Sequence, residues 1–378
     1  MRFFNQKLCW IIPAISLLSA GPAIAESKST AGDLSVVTTA LPEPFGLQEA
    51  SAQYLMTYPS TDGVKGTGMR QDTAAVFLPK GEVPPGGWPV VVWTHGTTGV
   101  AHGCAPSLNP RSPRDAQYLN TWLSLGYAIV APDYAGQGSA GLHHYLNARA
   151  EAWSTLDSIK AALKILPLKN QIFLVGQSQG AHAAFSSAGY QIEYAGDLNI
   201  KGVVLTGTPY FNDQSSAASI LTPAKSETVV QGDPKIPYIF YIFLAQAAKD
   251  PHLKAEDYFQ ERAIPLLNRA DSLCITPLTE EVMKQKLTAA NSLKPAIQQL
   301  LGSAKSSLQY PTLKVTHPVF IGIGESDVNV PTAMQKQFAA DVKAAETPVE
   351  VHLYPGLDHG GTVNPSLRDS IPFILKHR

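Results

Sequence analysis

Residues 172–184 read Ile-Phe-Leu-Val-Gly-Gln-Ser-Gln-Gly-Ala-His-Ala-Ala, and Ser178 at their centre is the first candidate for chemistry. A hydroxyl becomes a useful nucleophile only when a base takes its proton, and that base needs a third group to hold its tautomer. Ile172 to Val175 are apolar and read as a buried strand; small residues from Ala181 to about Tyr190 read as a helix. Between them, Gly176-Gln177-Ser178-Gln179-Gly180 turns sharply. The pentapeptide alone is common, but strand, turn and helix together are the setting that lifts a serine off a sheet and exposes its Oγ to a base. The glycines allow strand and helix to pass closely. The turn also aims the first N–H groups of the helix at the same point, where negative charge is stabilised.

In this strand–turn–helix setting the acid and then the histidine follow the serine along the chain. Asp327 comes just after the apolar run Val319–Ile323, at a strand's C-terminal end, with Glu325 as the reserve. Beyond Asp327 the histidines are His352, His359 and His377. His352 falls inside a strand and His377 is penultimate. His359 lies in Gly356-Leu357-Asp358-His359-Gly360-Gly361, a loop directly after the last strand, and is the expected base. Asp358 is its neighbour in sequence and points elsewhere in most loop geometries, so Asp327 is the expected partner. An oxyanion needs two N–H donors. Gln179, directly after the serine, supplies one; the other is expected from Thr97 in His95-Gly96-Thr97-Thr98-Gly99, with Thr98 behind it. Gly96 permits close backbone approach, and His95 reads as structural.

These residues need a sheet to present them. Val90–Thr94, Gly126–Tyr134, Ile172–Val175, Ile200–Thr206, Val319–Ile323 and Val349–Tyr354 read as buried strands. Helical stretches near Asp115–Leu125, Ala148–Leu166, Thr332–Ala345 and Ser366–Lys376 separate or follow them. This alternation predicts an α/β chain with a mostly parallel central sheet and helices on both faces. Ala52–Tyr58 and Thr73–Leu78 read as a hairpin on the sheet edge, and residues 26–50 as a surface lead-in without a clear period. Residues 209–318 carry no strand pattern but several amphipathic stretches, too long for a connection. They read as an inserted helical cap between a first core part (26–208) and a second (319–378).

The N-terminus reads as an export signal: Arg2 and Lys7, the apolar run Leu8–Leu18, and Ala23-Ile24-Ala25 as a cleavage site. Residues 1–25 are then removed, and the mature protein is expected to be secreted or periplasmic with no permanent membrane anchor. A formal net charge of −1 and the lack of a basic run argue against nucleic acid as partner. Cys104 and Cys274 survive processing, and in an oxidising compartment they are expected to pair. Two decoys carry less. Gly136-Gln137-Gly138-Ser139-Ala140-Gly141 matches G-x-G-x-x-G, but no helix opens where a dinucleotide site needs one. His102 and Cys104 have no second ligand pair, so no metal is expected.

Together the motifs resemble those of α/β-hydrolases, and within them the secretory lipases (the fungal lipase A type and bacterial relatives). The matching residues are His95-Gly96-Thr97-Thr98-Gly99 with Cys104-Ala105-Pro106, Ala131-Pro132-Asp133-Tyr134 with Gly136 and Gly138, His144-Tyr145-Leu146, and the Ser178 pentapeptide. The chain carries Gln177 and Gly180-Ala181 where that family often has a tyrosine before the serine and Gly-Gly after it. The resemblance implies an α/β-hydrolase fold with a helical cap inserted before the acid-bearing strand. It also implies an exported enzyme that cleaves small-molecule carboxylic esters or lipids through Ser178, His359 and Asp327, without a cofactor. A serine peptidase of the same fold, or a non-catalytic binding protein built on it, are the alternatives.

Overall fold

The computed structural model describes residues 35–213 and 232–378. The export segment read from residues 1–25 lies outside them, as does part of the inserted stretch. Nine strands form one sheet: β1 (Val37–Ala40), β2 (Ala50–Thr61), β3 (Met69–Pro79), β4 (Trp88–Thr94), β5 (Ala128–Pro132), β6 (Leu168–Gln177), β7 (Ile200–Thr206), β8 (Val319–Gly324) and β9 (Val349–Tyr354). Their order is β1-β2-β3-β5-β4-β6-β7-β8-β9. Pairing is antiparallel from β1 to β3 and between β3 and β5, and parallel from β5 through β9.

Two expectations need correction at the sheet edge. The lead-in contains a strand: β1 pairs with β2, Val37 opposite Thr57. The β2–β3 hairpin therefore does not form the edge by itself. Val37-Thr38-Thr39-Ala40 is short and largely exposed, so no apolar alternation marked it.

The central strands show why the sheet is covered twice. Val90, Val92, Ile172, Leu174, Val203 and Leu205 pack into one apolar layer. Val91, Trp93, Phe173, Val175 and Val204 pack into the opposite one. Successive side chains alternate across a strand, so two apolar faces require helices on both. Helices α1 (Pro113–Ser124) and α8 (Leu367–His377) cover the second layer with Tyr118, Trp122, Phe373 and Ile374. Helices α2 (Ala148–Ile165), α3 (Gln179–Tyr194) and α7 (Thr332–Ala344) cover the first, with Leu156, Phe185 and Phe338. Each Leu, Ile or Phe among them contributes about 1.5–3 kcal/mol on burial. Caps fix the helix starts: Ser112 Oγ accepts from Asp115 N–H, and Asn147 Oδ1 from Ala150 N–H.

Between β7 and β8 the described residues form helices α4 (Ile236–Ala247), α5 (Ile275–Lys284) and α6 (Ile297–Leu308), four-residue turns, and an isolated bridge from Phe259 to Leu293. Their apolar faces gather into a cluster of their own, which Val100, Tyr145 and Leu146 join. Cys104 and Cys274 form a disulfide across 170 residues and tie the loop after β4 to the start of α5. Beside it, Ile275 N–H donates to Thr98 O at 2.8 Å. No helix of the described residues is long and apolar enough to cross a membrane.

Closing so long a loop restricts the unfolded chain strongly. Replacing both cysteines by serine should lower the unfolding free energy by about 4–5 kcal/mol in the chain-entropy picture. Denaturant titration of wild type and double variant checks this. An unchanged midpoint would mean that the bridge contributes nothing in solution.

Candidate active site

Ser178 joins β6 to α3 as the helix N-cap, with φ 59° and ψ −123°. A non-glycine residue held there costs on the order of 1–3 kcal/mol and persists only when its surroundings over-determine it. They do. Ser178 N–H donates to Thr206 O at 2.9 Å, and Thr94 Oγ1 donates to Gly180 O at 2.8 Å. The two glycines of the motif are steric necessities: a Cβ on Gly180 would strike Thr94 O, and one on Gly176 would strike Gly180 O. Helix α3 starts at Gln179, two residues before the expected Ala181, which makes Gln179 its first N–H.

The expected acid and base meet. His359 Nδ1 lies 2.7 Å from Asp327 Oδ2, across 32 residues of sequence. Asp327 is buried and fully engaged. Its Oδ1 accepts from Asn329 N–H and Val330 N–H, both at 3.0 Å, and Oδ2 also accepts from Gln335 Nε2 at 2.8 Å. Such a carboxylate can hold an imidazole in one tautomer, Nδ1–H toward the acid and Nε2 free. The reserve acid and the sequence neighbour of His359 are occupied elsewhere: Glu325 pairs with Lys336 at 3.0 Å, and Asp358 Oδ1 accepts from Gly361 N–H at 2.7 Å. Ser178 and His359 line one cleft of about 550 Å³, together with Gly96, Thr97 and Gln177. Among the described residues no hydrogen bond joins Ser178 Oγ to His359; such contacts often tighten only around a substrate.

The loop after β4 carries Thr97 to this cleft. Thr97 Oγ1 is bonded to Tyr145 OH at 2.7 Å, and Thr98 Oγ1 accepts from Gln137 Nε2 at 2.8 Å. His95 is buried against Tyr134, ring centroids 4.4 Å apart, and its Nδ1–H donates to Gly96 O at 2.8 Å. Burial lowers its pKa to about 4, which keeps it neutral and structural. Asp133 anchors the same loop by accepting from Ser107 N–H at 2.9 Å, Ser107 Oγ at 2.6 Å and Thr73 Oγ1 at 2.7 Å. Burial outweighs these bonds and raises its pKa to about 6. The Gly136–Gly141 run is loop, and the next helix opens only at α2, so it is not built as a dinucleotide turn. Cys104 is in the disulfide and offers no thiolate.

Two contributors escaped the sequence reading. Gly207 follows β7 with φ +61°, and a Cβ there would sit 2.8 Å from His359 Cε1. Its only signal was a glycine at a strand's C-terminal end. Gln335 has no signal beyond being polar and early in α7. Next to the cleft lies a narrow slot of about 50 Å³, also reaching Ser178 and lined by Phe211, Ile239, Ile242, Val330 and Met334.

The sheet order and the strand–turn–helix at Ser178 define an α/β-hydrolase fold, and known structures agree. Lipase A of Candida antarctica in its closed state superposes with TM-score 0.69 at 19% identity, over 92% of this chain and 82% of that one. The rice cell wall degrading esterase LipA of Xanthomonas oryzae gives TM-score 0.66 at 18% identity, over 86% and 91%. The family model for secretory lipases matches residues 114–350, and the chain belongs to that family. A secreted triacylglycerol lipase of Malassezia furfur, LIP5, is 28% identical over 195 residues, 46% of this chain and 46% of that protein. A second, LIP2, is 30% identical over 119 residues, 28% of this chain and 25% of that protein. The matches thus span less than half the length of either relative.

The buried groups set the acid limit of the fold. His95 and His143 are both held neutral by burial, with pKa values lowered to about 4. Between pH about 6.5 and 4 the unfolded chain binds protons that these rings refuse, so each removes stability as pH falls through that window. Asp133, raised to about 6, acts in the opposite sense between its unfolded value near 3.8 and pH 6. Burial also lowers His144 and His317, which act with the two histidines, and raises Asp157, which acts with Asp133. The histidines outnumber the acids, so Tm should fall on acidification from pH 6.5 to 4. A Tm that rises across the window would contradict this.

Proposed function

We propose that this protein is an exported hydrolase of carboxylic esters, of the lipase and carboxylesterase type, working through an acyl-enzyme on Ser178. The observation that carries this reading is the 2.7 Å contact between His359 Nδ1 and Asp327 Oδ2, in the same cleft wall as an elbow serine. In the first half-reaction Ser178 Oγ attacks the ester carbonyl carbon and His359 Nε2 takes its proton. The tetrahedral oxyanion is held by the backbone N–H groups of Gln179 and Thr97. His359 then protonates the leaving alcohol. Water, deprotonated by the same ring, attacks the acyl-enzyme; collapse releases the acid and returns the proton to Ser178. Asp327 holds the imidazole and stabilises its cationic form. Acyl transfer to water requires no cofactor.

The two cavities supply a substrate orientation. His359 must reach the leaving oxygen, and it lines the wide cleft but not the slot. The alcohol part therefore belongs in the cleft and the acyl chain in the slot. At about 50 Å³ the slot is far smaller than pockets that take drug-sized ligands. This favours short acyl chains. Helix α4 supplies Ile239 and Ile242 to that slot, which suits residues 209–318 acting as a cap over the core formed by 26–208 and 319–378. Export is supported by the signal-like N-terminus and by relatives named as secreted lipases.

Hydrolysis of p-nitrophenyl esters from C2 to C16 tests the reading. Activity should peak at short chains, and Ser178→Ala should lower kcat by several orders of magnitude with the fold intact. A long-chain peak that jumps at an emulsion interface would contradict the slot assignment. Inactivity at every length would favour a peptidase or a binding protein. Gly207→Ala should push the His359 ring off Asp327 and cost about 100-fold in kcat. Unchanged kcat in that variant would count against His359 as the base.

A further inference from the structure

Beside the elbow, outside the lining of the cleft, lies a buried cluster of polar side chains, none of which takes part in the ester cleavage steps described above. It comprises Glu151 of α2, Gln179 and His182 of α3, and His143 from the loop before α2. Glu151 is its centre. Its Oε1 accepts from Leu146 N–H at 3.0 Å and from Gln179 Nε2 at 2.7 Å, and its Oε2 meets His182 Nδ1 at 3.0 Å. His143 Nδ1 faces Ala135 O at 2.9 Å and so carries the hydrogen; its Nε2 is then free to accept from Gln179 Nε2 at 2.7 Å. Both hydrogens of the Gln179 amide are thereby used.

The far side of the cluster fixes its protons. His182 Nε2 faces Leu308 O, the carbonyl of the last residue of α6, at 2.8 Å. A carbonyl only accepts, so Nε2 bears a hydrogen. The Nδ1–Oε2 contact then needs a second proton between the partners, on the ring or on the acid. Either way the pair is neutral as a whole, which suits its full burial. A continuous chain of hydrogen bonds thus runs from the end of α6 through His182 and Glu151 to the side chain of Gln179.

We propose that Glu151 is a positioning residue for the oxyanion hole. By gripping the Gln179 side chain and His182 one turn later, it fixes the first turn of α3 and aims the Gln179 N–H at the developing charge. This rests on Gln179 being the oxyanion donor in the ester hydrolysis proposed above. Such donors act only when held in place before the reaction. The grip acts on side chains of this turn, whereas the other restraints nearby act on backbone: Ser178 N–H donates to Thr206 O, and Gly180 O accepts from Thr94 Oγ1.

The test compares Glu151→Leu, Glu151→Gln and Gln179→Met, with active sites counted by fluorophosphonate titration so that misfolded protein drops out. Glu151→Leu and Gln179→Met should each lower kcat per titrated site about tenfold or more, with KM within about threefold. Affinity for a trifluoromethyl ketone, whose adduct places an oxyanion in the hole, should fall by the same factor as kcat. Glu151→Gln can keep every bond, its carbonyl accepting from Leu146 and Gln179 and its amide donating to His182 Nδ1, so it should restore most of the loss. If Glu151→Leu does not fold, Gln179→Met decides. Wild-type kcat and ketone affinity in Gln179→Met, with only Tm lowered in the Glu151 variants, would overturn the proposal while leaving the ester hydrolase reading intact. A wild-type protein inactive on every ester would overturn both.

Discussion

The close crossing of β6 and α3 is the constraint on which the rest of the site depends. Strand and helix can meet only because Gly176 and Gly180 lack a Cβ, and the chain between them can turn only if Ser178 accepts a left-handed φ of 59°. That conformation is costly for serine and is held by bonds from β7 and β4, through Thr206 O and Thr94 Oγ1. The central parallel strands therefore do more than form a core. Their C-terminal ends clamp a strained turn, and the turn presents both a hydroxyl and a helix N-terminus to one cleft.

Everything else is brought to that point by neighbouring strand ends. Asp327 follows β8 and His359 follows β9, and their 2.7 Å contact is shaped by the Cβ-free face of Gly207 after β7. The loop after β4 approaches from the other side. It is stitched down by Asp133, by the Tyr134 OH bond to His95 O at 2.9 Å, and by the Cys104–Cys274 disulfide. The disulfide ties the loop that carries Thr97 to the start of α5, so the two stretches that bring Thr97 and Ile275 to the cleft are covalently linked.

The legible part of this architecture is the part with a strong local signal. The buried parallel strands announce themselves as unbroken apolar runs such as Val90-Val91-Val92, and the helices between them by spacing. The setting around Ser178 gives the order serine, acid, histidine, strand-end placement picks Asp327 and His359, and the geometry brings those two into contact. What stayed hidden was decided by tertiary contact. Strand β1 is four residues, mostly exposed, and exists because β2 offers it a partner. Gly207 and Gln335 matter only because of where His359 and Asp327 arrive. Glu151 is one acidic residue in the first turn of α2; only the packing of α2 on α3 surrounds its carboxylate with Gln179 and His182.

The central claim is that Ser178 is an activated nucleophile, and covalent trapping tests it most directly. The mature protein would be treated with a fluorophosphonate and digested, and the adduct located by mass spectrometry. The account predicts one adduct per chain, on Ser178, with ester hydrolysis lost in proportion to labelling, and little labelling in His359→Ala. Labelling of a different serine, or full activity in fully labelled protein, would contradict it.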